Sequence, residues 1–296
     1  MRVLLLGANG QVGTECRRAL TGAGELIAAT RSGGGGDETA DFEHPDSLAE
    51  LIRRLVPDVV VNAAAYTAVD KAESERALAL RINAEAVAII ANACAAQGTY
   101  LVHYSTDYVF DGQGERPYLP DQPSAPLGVY GESKLAGEQA IRASGCRHAI
   151  LRTAWVYADH GKNFLLTMLR LAAERDQLRV VADQRGTPTP AALIADVTAK
   201  IVQAGQRRSG TWHLTALGDT TWHGFAEAIM QGAHQRGLIA RIPDVRPIGS
   251  AEFPTPARRP AYSVLDTQSL RDDWSVALPS WQQGLDSVLD ALAARG

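Results

Sequence analysis

The sequence predicts an α/β protein whose core is a doubly wound parallel sheet. Short apolar runs recur through the first half of the chain, and each is followed by a stretch with helical periodicity. The first run, residues 2–6, ends at a glycine-rich turn that leads directly into a helix. Small residues follow the later runs, which is typical of parallel strands whose carboxyl ends meet at a ligand-binding crevice.

Composition indicates a globular protein and excludes several classes of function. The chain has 296 residues and a net charge of −4, without basic blocks, which argues against nucleic acid as a partner. Cys16, Cys94 and Cys146 lack metal or redox spacing, so we expect buried free thiols in a reducing compartment. The apolar run 3–6 is too short for a signal peptide or a membrane span. We therefore expect a cytoplasmic protein with no membrane partner.

The first turn has the pattern of a dinucleotide-binding loop. Gly7, Gly10 and Gly13 are spaced G-x-x-G-x-x-G between a strand and a helix. The first glycine permits a tight turn, the second lets backbone N–H groups approach a pyrophosphate, and the third lets the helix pack on the strand. The helix N-terminus adds positive potential. The predicted cofactor contacts in this loop are Gly7, Asn9, Gly10, Gln11, Val12 and Gly13.

A second strand, residues 26–30, is followed by Arg31. An acidic residue at this position usually meets the ribose diol of NADH, whereas an arginine accommodates the 2′-phosphate of NADPH. Arg31 therefore favours NADPH. NADH stays open as an alternative, because Asp37 or Glu38 could fold back across the flexible glycine run at 33–36, and Arg31 could simply be a solvated loop residue.

Further strands and helices complete the predicted sheet. The third strand ends at Asn62-Ala63-Ala64-Ala65 and the fourth at Ser105-Thr106, so small and polar residues meet at one edge. The three alanines leave room there for a cofactor. The elements predicted are a helix over 45–55, a strand over 58–61, a helical region to about 97, a strand over 99–104, a helix from 129 and a strand over 147–153.

Tyr130 and Lys134 form the candidate catalytic pair. They lie four residues apart in a predicted helix and therefore share one face. An ammonium about 4–6 Å from a phenol favours the phenolate and lowers the tyrosine pKa toward neutral. With the hydroxyl of Thr106 nearby, the pair suits proton transfer to or from an alcohol or carbonyl oxygen. A surface tyrosine beside a solvated lysine is the alternative.

The second half of the chain has a looser pattern. It predicts helices over 163–174, 191–204, 221–236 and 282–294, strands over 178–181 and 210–214, and a rigid turn over 183–190. We place a dinucleotide-binding Rossmann domain at 1–157, with a returning segment near 178–204. A smaller α/β substrate domain over 158–296 is interleaved with it.

Taken together, these motifs resemble the extended short-chain dehydrogenase/reductase superfamily. Five runs resemble its dTDP-4-dehydrorhamnose reductase family, and the likeness extends from residue 1 to about 290. Those at 62–73 and 103–112 are specific to the family, whereas the glycine loop and the Tyr-x-x-x-Lys pair are shared across the superfamily. The runs are N-A-A-A-Y-T-A-V-D-K-A-E, H-Y-S-T-D-Y-V-F-D-G, V-Y-G-E-S-K-L-A-G-E, R-T-A-W-V-Y and P-T-P-A-R-R-P.

The resemblance implies reduction of the 4-keto group of dTDP-4-dehydro-L-rhamnose by NADPH, giving dTDP-L-rhamnose for lipopolysaccharide of the O-antigen type. Tyr130 would protonate the incipient alkoxide, and Lys134 would lower the tyrosine pKa and hold the nicotinamide ribose. Thr106 would donate a hydrogen bond to the substrate carbonyl. The family also leaves a homodimer open.

The resemblance implies further contacts around this centre. Arg258 and Arg259 are candidates for the substrate diphosphate, since guanidinium groups match phosphate oxygens, although a solvated pair or a dimer contact is an equal alternative. Asn83 should bond the backbone locally. A magnesium ion is doubtful, because alanines stand at 191–192 although Glu15 is available. The remaining contacts are Asp41 and Phe42 at the adenine, Ala63, Ala64 and Ala65 in the cofactor crevice, and Thr67, Val69, Asp107, Tyr108 and Trp155 in the sugar pocket.

Two other functions fit the same fold. A nucleotide-sugar dehydratase needs a proton-abstracting glutamate after the Thr-Asp pair, where Tyr108 stands, and an epimerase retains its NAD, which Arg31 does not favour. A non-catalytic regulatory subunit is the second alternative, but Thr106, Tyr130 and Lys134 are all present. No G-x-S-x-G or H-E-x-x-H motif occurs in the sequence.

Overall fold

The computed structural model describes residues 1–295 and contains the predicted parallel sheet. Its seven strands are β1 (Arg2–Leu6), β2 (Glu25–Thr30), β3 (Glu38–Thr39), β4 (Val59–Asn62), β5 (Tyr100–Thr106), β6 (His148–Thr153) and β11 (Gly210–His213). They lie in the order β11-β6-β5-β4-β1-β2-β3, all parallel. The order reverses between β1 and β4, which is where open α/β sheets bind their ligands.

Helices cover both faces of this sheet. Because side chains alternate along a strand, Val3 and Leu5 pack into one core while Leu4 and Leu6 pack into the other, which explains the continuous apolar run. Helices α1, α8 and α10 lie on the first face, and α2, α5 and α6 on the second. Their bounds are α1 (Gln11–Ala19), α2 (Asp46–Leu55), α5 (Ala86–Gln97), α6 (Val129–Ser144), α8 (Ala191–Gln203) and α10 (Gln268–Trp274).

The region before α5 is mostly helical, with a break at residues 73–75. It contains α3 (Val69–Ala72), α4 (Arg76–Leu80) and a π-helical turn over Arg81–Glu85. Within residues 1–295, the run Arg76–Gln97 is the one helix long and apolar enough to cross a bilayer, and 44% of its most apolar window is buried in the fold. Helices α2 and α6 both pack against α5, so this helix has the surroundings of a core helix.

A third core lies outside the large sheet. It contains α7 (Phe164–Glu174), β8 (Gln177–Val181), α9 (Trp222–Gln235), β13 (Asp244–Ile248) and α11 (Trp281–Ala293). Strand β8 pairs in parallel with β13. Four two-residue strands lie in the chain segments between this part of the molecule and the large sheet. They pair with one another, β7 (Val156–Tyr157) with β10 (Thr189–Pro190) and β9 (Arg185–Gly186) with β12 (Thr220–Thr221).

The predicted elements are present, and the structure contains others that were not predicted. The turn predicted over 183–190 contains β9 and β10, and the sequence pattern also missed β3, β12, β13 and α10. Strand β13 reads D-V-R-P-I, whose proline and charges do not look like a strand, and α10 has only seven residues. The domain boundary stays a prediction. Since 191–214 and 268–278 pack with the large sheet while β8 pairs with β13, we propose those two segments as the returning parts.

Candidate active site

Parallel pairing brings the candidate site residues to one edge of the sheet. Leu6 lies opposite Asn62, and Asn62 lies opposite His103, so the turns after β1 and β4 and the end of β5 are neighbours. The glycine turn is tight. Gly7 has φ +74°, and a Cβ atom on Gly13 would lie 2.0 Å from the Gly7 carbonyl oxygen. On Gly10 a Cβ atom would meet only that oxygen, at 3.4 Å, so this side of the turn is open.

A cavity of about 240 Å³ lies over this turn. Most of the predicted cofactor contacts line it, together with three residues that the sequence analysis missed, Ala40, Glu43 and Ile82. Gln11 and Val12 do not line it: Gln11 accepts a hydrogen bond from Asn163 Nδ2 at 2.9 Å, and Val12 packs on the core. The other predicted contacts outside the lining are Gly13, Tyr130 and Lys134. The predicted residues in the lining are Gly7, Asn9, Gly10, Arg31, Asp41, Phe42, Ala63, Ala64 and Ala65.

Arg31 is paired with two carboxylates in this cavity. Its Nη2 lies 2.7 Å from Glu43 Oε1, and its Nε lies 3.7 Å from Asp41 Oδ1. The acidic residues that could have folded back are engaged elsewhere, since Asp37 pairs with Arg17 and Glu38 with Arg54. Arg31 is therefore the cation available to a cofactor 2′-phosphate. A phosphate bound there would compete with Glu43 for the guanidinium group.

Thr106 and Tyr130 are neighbours at the end of β5. Burial raises the pKa of Tyr130, and the Thr106 side chain partly offsets that rise. The Tyr130 ring stands edge-on to Tyr108, with centroids 5.5 Å apart. The Thr106 hydroxyl donates to Asp107 Oδ1 at 3.0 Å and accepts from the Tyr108 N–H at 3.2 Å. A hydroxyl has one proton, so donation to a substrate carbonyl requires Thr106 to turn away from Asp107, a buried carboxyl whose pKa burial raises to about 6.

Lys134 is buried, and its environment corrects one expectation. Its Nζ donates to the Tyr104 carbonyl oxygen at 2.7 Å and lies 3.5 Å from His103 Nε2. Burial lowers the pKa of Lys134 to about 8, with Glu138 opposing that shift. We expected Lys134 to lower the pKa of Tyr130, but the tyrosine pKa is raised instead, because burial dominates and the lysine bonds β5.

Asn83 links the loop after β4 to helix α6, which carries Tyr130 and Lys134. It lies in the π-helical turn, where its Oδ1 accepts from the Tyr66 N–H at 2.9 Å and its Nδ2 donates to the Tyr66 carbonyl and to Ser133 Oγ, each at 3.0 Å. It does bond the backbone, as predicted, but 17 residues away and not locally. Helix α6 packs closely here, since a Cβ atom on Gly137 would lie 2.2 Å from the Asn83 carbonyl oxygen.

A second cavity of about 500 Å³ lies on the other side of Tyr108. Arg259 lines it, and its guanidinium donates to Tyr108 Oη at 3.1 Å and to Asp70 Oδ2 at 2.7 Å. Arg258 is exposed and is not part of the lining. The other predicted substrate contacts outside the lining are Thr67, Val69, Thr106, Asp107 and Trp155. Most of the lining was missed by the sequence analysis, including Phe164, Arg175, Arg179, Gln184, Trp222 and Phe253.

Trp155 is held beside this second cavity by aromatic stacking. Its ring lies parallel to that of Trp222, with centroids 3.6 Å apart, and Trp222 in turn contacts Phe164. Trp155 has φ +48°, a left-handed conformation that is uncommon for a large side chain. Gly186 makes room for it, since a Cβ atom there would lie 2.5 Å from Trp155 Cε2.

Glu15 belongs to a small group of potential metal ligands in residues 1–295. Ligand atoms of Glu15, Asp159 and His160 all lie within 4.8 Å of one another. The sequence analysis missed Asp159 and His160, which follow β7. The two carboxylates already bond to cationic or donor groups, since Arg18 bonds Glu15 while His160 and Arg295 bond Asp159. The expectation that magnesium is doubtful stays a prediction.

Comparison with known proteins identifies the family. The chain matches the family described as the RmlD substrate binding domain over residues 1–294. It is 45% identical to dTDP-4-dehydrorhamnose reductase of Shigella flexneri, covering 99% of this chain and 98% of that protein. The chain belongs to the dTDP-4-dehydrorhamnose reductase family. The resemblance drawn from the sequence motifs is thereby confirmed.

Two crystal structures of family members share the fold over nearly the whole chain. The dTDP-4-dehydrorhamnose reductase of Bacillus anthracis, in complex with NADP, is 34% identical, with a TM-score of 0.90, and covers 98% of this chain and 99% of that one. The Clostridium acetobutylicum reductase is 36% identical, with a TM-score of 0.91, and covers 99% of both chains. The predicted α/β fold is confirmed.

Proposed function

We propose that this enzyme reduces the 4-keto group of dTDP-4-dehydro-L-rhamnose with NADPH and releases dTDP-L-rhamnose. The observation that carries the proposal is the position of Tyr130 and Thr106. Tyr130 contacts Tyr108, which lines the larger cavity, and Thr106 ends the strand next to β4, whose following alanines line the smaller one. The proposal therefore sets a proton donor near both the cavity over the glycine turn and the cavity lined by arginines and aromatic rings.

The residues of the smaller cavity fit NADPH. The turn 7–13 is open at Gly10, the alanines at 63–65 leave a crevice, and Arg31 offers a guanidinium for the 2′-phosphate. When bound, the cofactor supplies the hydride. Tyr130 then gives its phenolic proton to the developing alkoxide, and its raised pKa keeps the phenol protonated for that step at neutral pH. Thr106, turned from Asp107, donates to the same oxygen.

The larger cavity suits the substrate nucleotide. Arg175, Arg179 and Arg259 offer guanidinium groups for a diphosphate, while Trp222 and Phe253 offer flat apolar faces. We include Arg259 and not Arg258 among the diphosphate ligands, because only Arg259 lines the cavity. The proposal extends to a cytoplasmic enzyme that supplies an O-antigen type polysaccharide, and a homodimer stays a prediction.

The test is incubation of the purified protein with NADPH and dTDP-4-dehydro-L-rhamnose, followed by identification of the product epimer at C4 by NMR. The expected result is dTDP-L-rhamnose with NADPH consumed in equal amount. Tyr130→Phe should abolish turnover while NADPH still binds, because only the transferable proton is lost. An epimerase or dehydratase would show no net NADPH consumption, and unchanged turnover in Tyr130→Phe would exclude this role for Tyr130.

A further inference from the structure

His103 is a buried titratable residue that the proposed function does not use. It lies in β5 and is 0% exposed. Its Nδ1 lies 3.1 Å from Asn62 Nδ2 on the neighbouring strand β4, and its Nε2 lies 3.5 Å from Lys134 Nζ on α6. The imidazole therefore connects the cofactor crevice with the catalytic lysine.

The direction of these hydrogen bonds is set by Ala64. Its backbone N–H donates to Asn62 Oδ1 at 3.1 Å, which assigns the carbonyl end of that amide. The other end, Nδ2, can only donate, so Nδ1 of His103 must accept. A neutral imidazole that accepts at Nδ1 carries its proton at Nε2.

The proton on Nε2 faces the Lys134 nitrogen. Two donors cannot bond each other, so an ammonium at this position has an unfavourable contact with the Nε2–H group. A neutral amine can accept from Nε2–H while it still donates to the Tyr104 carbonyl at 2.7 Å. The imidazole itself stays neutral, because burial and the nearby lysine both lower the pKa of His103.

Other groups around Lys134 do not remove this preference for the neutral amine. On α6, Tyr130 lies one turn before it and Glu138 one turn after it. Glu138 favours the ammonium, but its carboxylate already bonds Arg152 of β6, at 2.8 and 2.7 Å, and Arg142. On β5 the facing groups are His103 and the Tyr104 carbonyl. Burial lowers the pKa of Lys134 to about 8, in the same direction as the hydrogen-bond argument.

We propose that His103 is a positioning residue that stabilises the amine form of Lys134, through the tautomer that Asn62 imposes. The proposal rests on the proposed function for the role of Tyr130. After Tyr130 gives its proton to the sugar oxygen, solvent restores the phenol: one O–H bond of water breaks and the phenolic O–H bond forms. Lys134 in its amine form accepts a hydrogen bond from His103 Nε2–H while it donates to the Tyr104 carbonyl.

The chain allows a direct test, because Lys71, Lys134, Lys162 and Lys200 are its only lysines. In protein labelled with ¹³C at lysine Cε, an NMR titration should show four signals, and Lys134→Arg identifies the one from Lys134. The ordinary pKa of a lysine ammonium is about 10.4. The Lys134 signal should titrate at about 8.

Two variants distinguish the effect of the His103 imidazole on the pKa of Lys134 from the effect of burial. His103→Gln can offer an oxygen to the ammonium, and Asn62→Asp accepts from Nδ1–H and so reverses the tautomer. Each should raise the Lys134 midpoint by about one pH unit or more. His223→Gln, which makes the same change at a histidine bonded to the Val245 carbonyl, should leave it unchanged.

A wild-type Lys134 signal that titrates at the ordinary lysine value of about 10.4 would overturn the proposal, even if no variant folds. An unchanged midpoint in folded His103→Gln or Asn62→Asp would also overturn it. The titration needs no substrate, so its failure leaves the reductase proposal standing. Conversely, absence of reductase activity with a low Lys134 midpoint would overturn the function and not this inference.

Discussion

At the scale of single residues, the site depends on which charges are already paired. We proposed that Arg31 meets the 2′-phosphate of the cofactor, but its guanidinium lies 2.7 Å from Glu43 Oε1, and a carboxylate there would repel that phosphate. We therefore infer that Glu43 limits the preference for NADPH. The sequence analysis missed it because its effect arises from a contact across the loop after β3.

We predict that Glu43→Gln increases the preference for NADPH over NADH. Removing one charge close to a phosphate should raise the ratio of kcat/KM values by about five- to tenfold at low salt. Steady-state kinetics with both cofactors measures this ratio. Glu50→Gln is the matched control, since Glu50 is an exposed acid paired with Arg53. A ratio that stays constant or falls in Glu43→Gln would contradict this role.

At the scale of secondary structure elements, short strands position large side chains. Strand β9 places Gly186 against Trp155, and β12 leads into α9, which begins with Trp222. Trp222 lines the larger cavity, and Trp155 stacks on it. The left-handed backbone at Trp155 is a strain of about 1–3 kcal/mol that the surrounding packing must hold.

We predict that Gly186→Ala impairs sugar turnover more than cofactor binding. The added Cβ atom would lie 2.5 Å from Trp155 Cε2, so the indole must move. A displacement of this size in a substrate-positioning group should lower kcat/KM for the nucleotide sugar by about 10- to 100-fold. Gly205→Ala is the control, because a Cβ atom there meets nothing within 4 Å.

Kinetics with varied sugar and a fluorescence titration with NADPH would distinguish the two effects. Equal kcat/KM values in Gly186→Ala and Gly205→Ala would show that Trp155 does not position the substrate. Equal losses in sugar turnover and NADPH affinity would indicate a general disturbance of the fold instead.

Local sequence patterns predicted the parts of the site that local geometry determines. The G-x-x-G-x-x-G turn and the Tyr130–Lys134 spacing each lie within one strand–turn–helix or one helix, where chain geometry fixes the neighbours. The contact of Lys134 with His103, 31 residues away, could not be predicted from the spacing. The arginines at 175 and 179 line the larger cavity only because β8 packs beside α7.

At the scale of the whole molecule, one buried ion pair joins the catalytic helix to the sheet. Glu138 of α6 is 0% exposed and bonds Arg152 of β6 through both carboxylate oxygens. Burial raises its pKa, but hydrogen bonds and charge from Arg152 outweigh burial, so the net pKa lies below the ordinary value. The pair therefore stabilises the folded state above the unfolded pKa of about 4.3 and is lost as pH falls through the folded pKa.

We predict that Glu138→Gln lowers the free energy of unfolding by about 3–5 kcal/mol at pH 7, because Arg152 is left buried without its partner. The difference from wild type should shrink below about pH 4. Denaturant unfolding at both pH values measures it. Glu174→Gln, which breaks the exposed pair with Arg170, should cost less than about 1 kcal/mol. If Glu138→Gln lowers the free energy of unfolding by no more than this control does, the Glu138–Arg152 pair does not stabilise the fold.

The central claim is that hydride and proton reach one sugar carbonyl in the crevice beside Tyr130. The most direct measurement uses NADPH deuterated on the transferred face of nicotinamide C4, with dTDP-4-dehydro-L-rhamnose as substrate. We predict deuterium at C4 of dTDP-L-rhamnose, in equal amount to the NADPH consumed, and none with Tyr130→Phe. Product without deuterium, or with the opposite configuration at C4, would contradict the account.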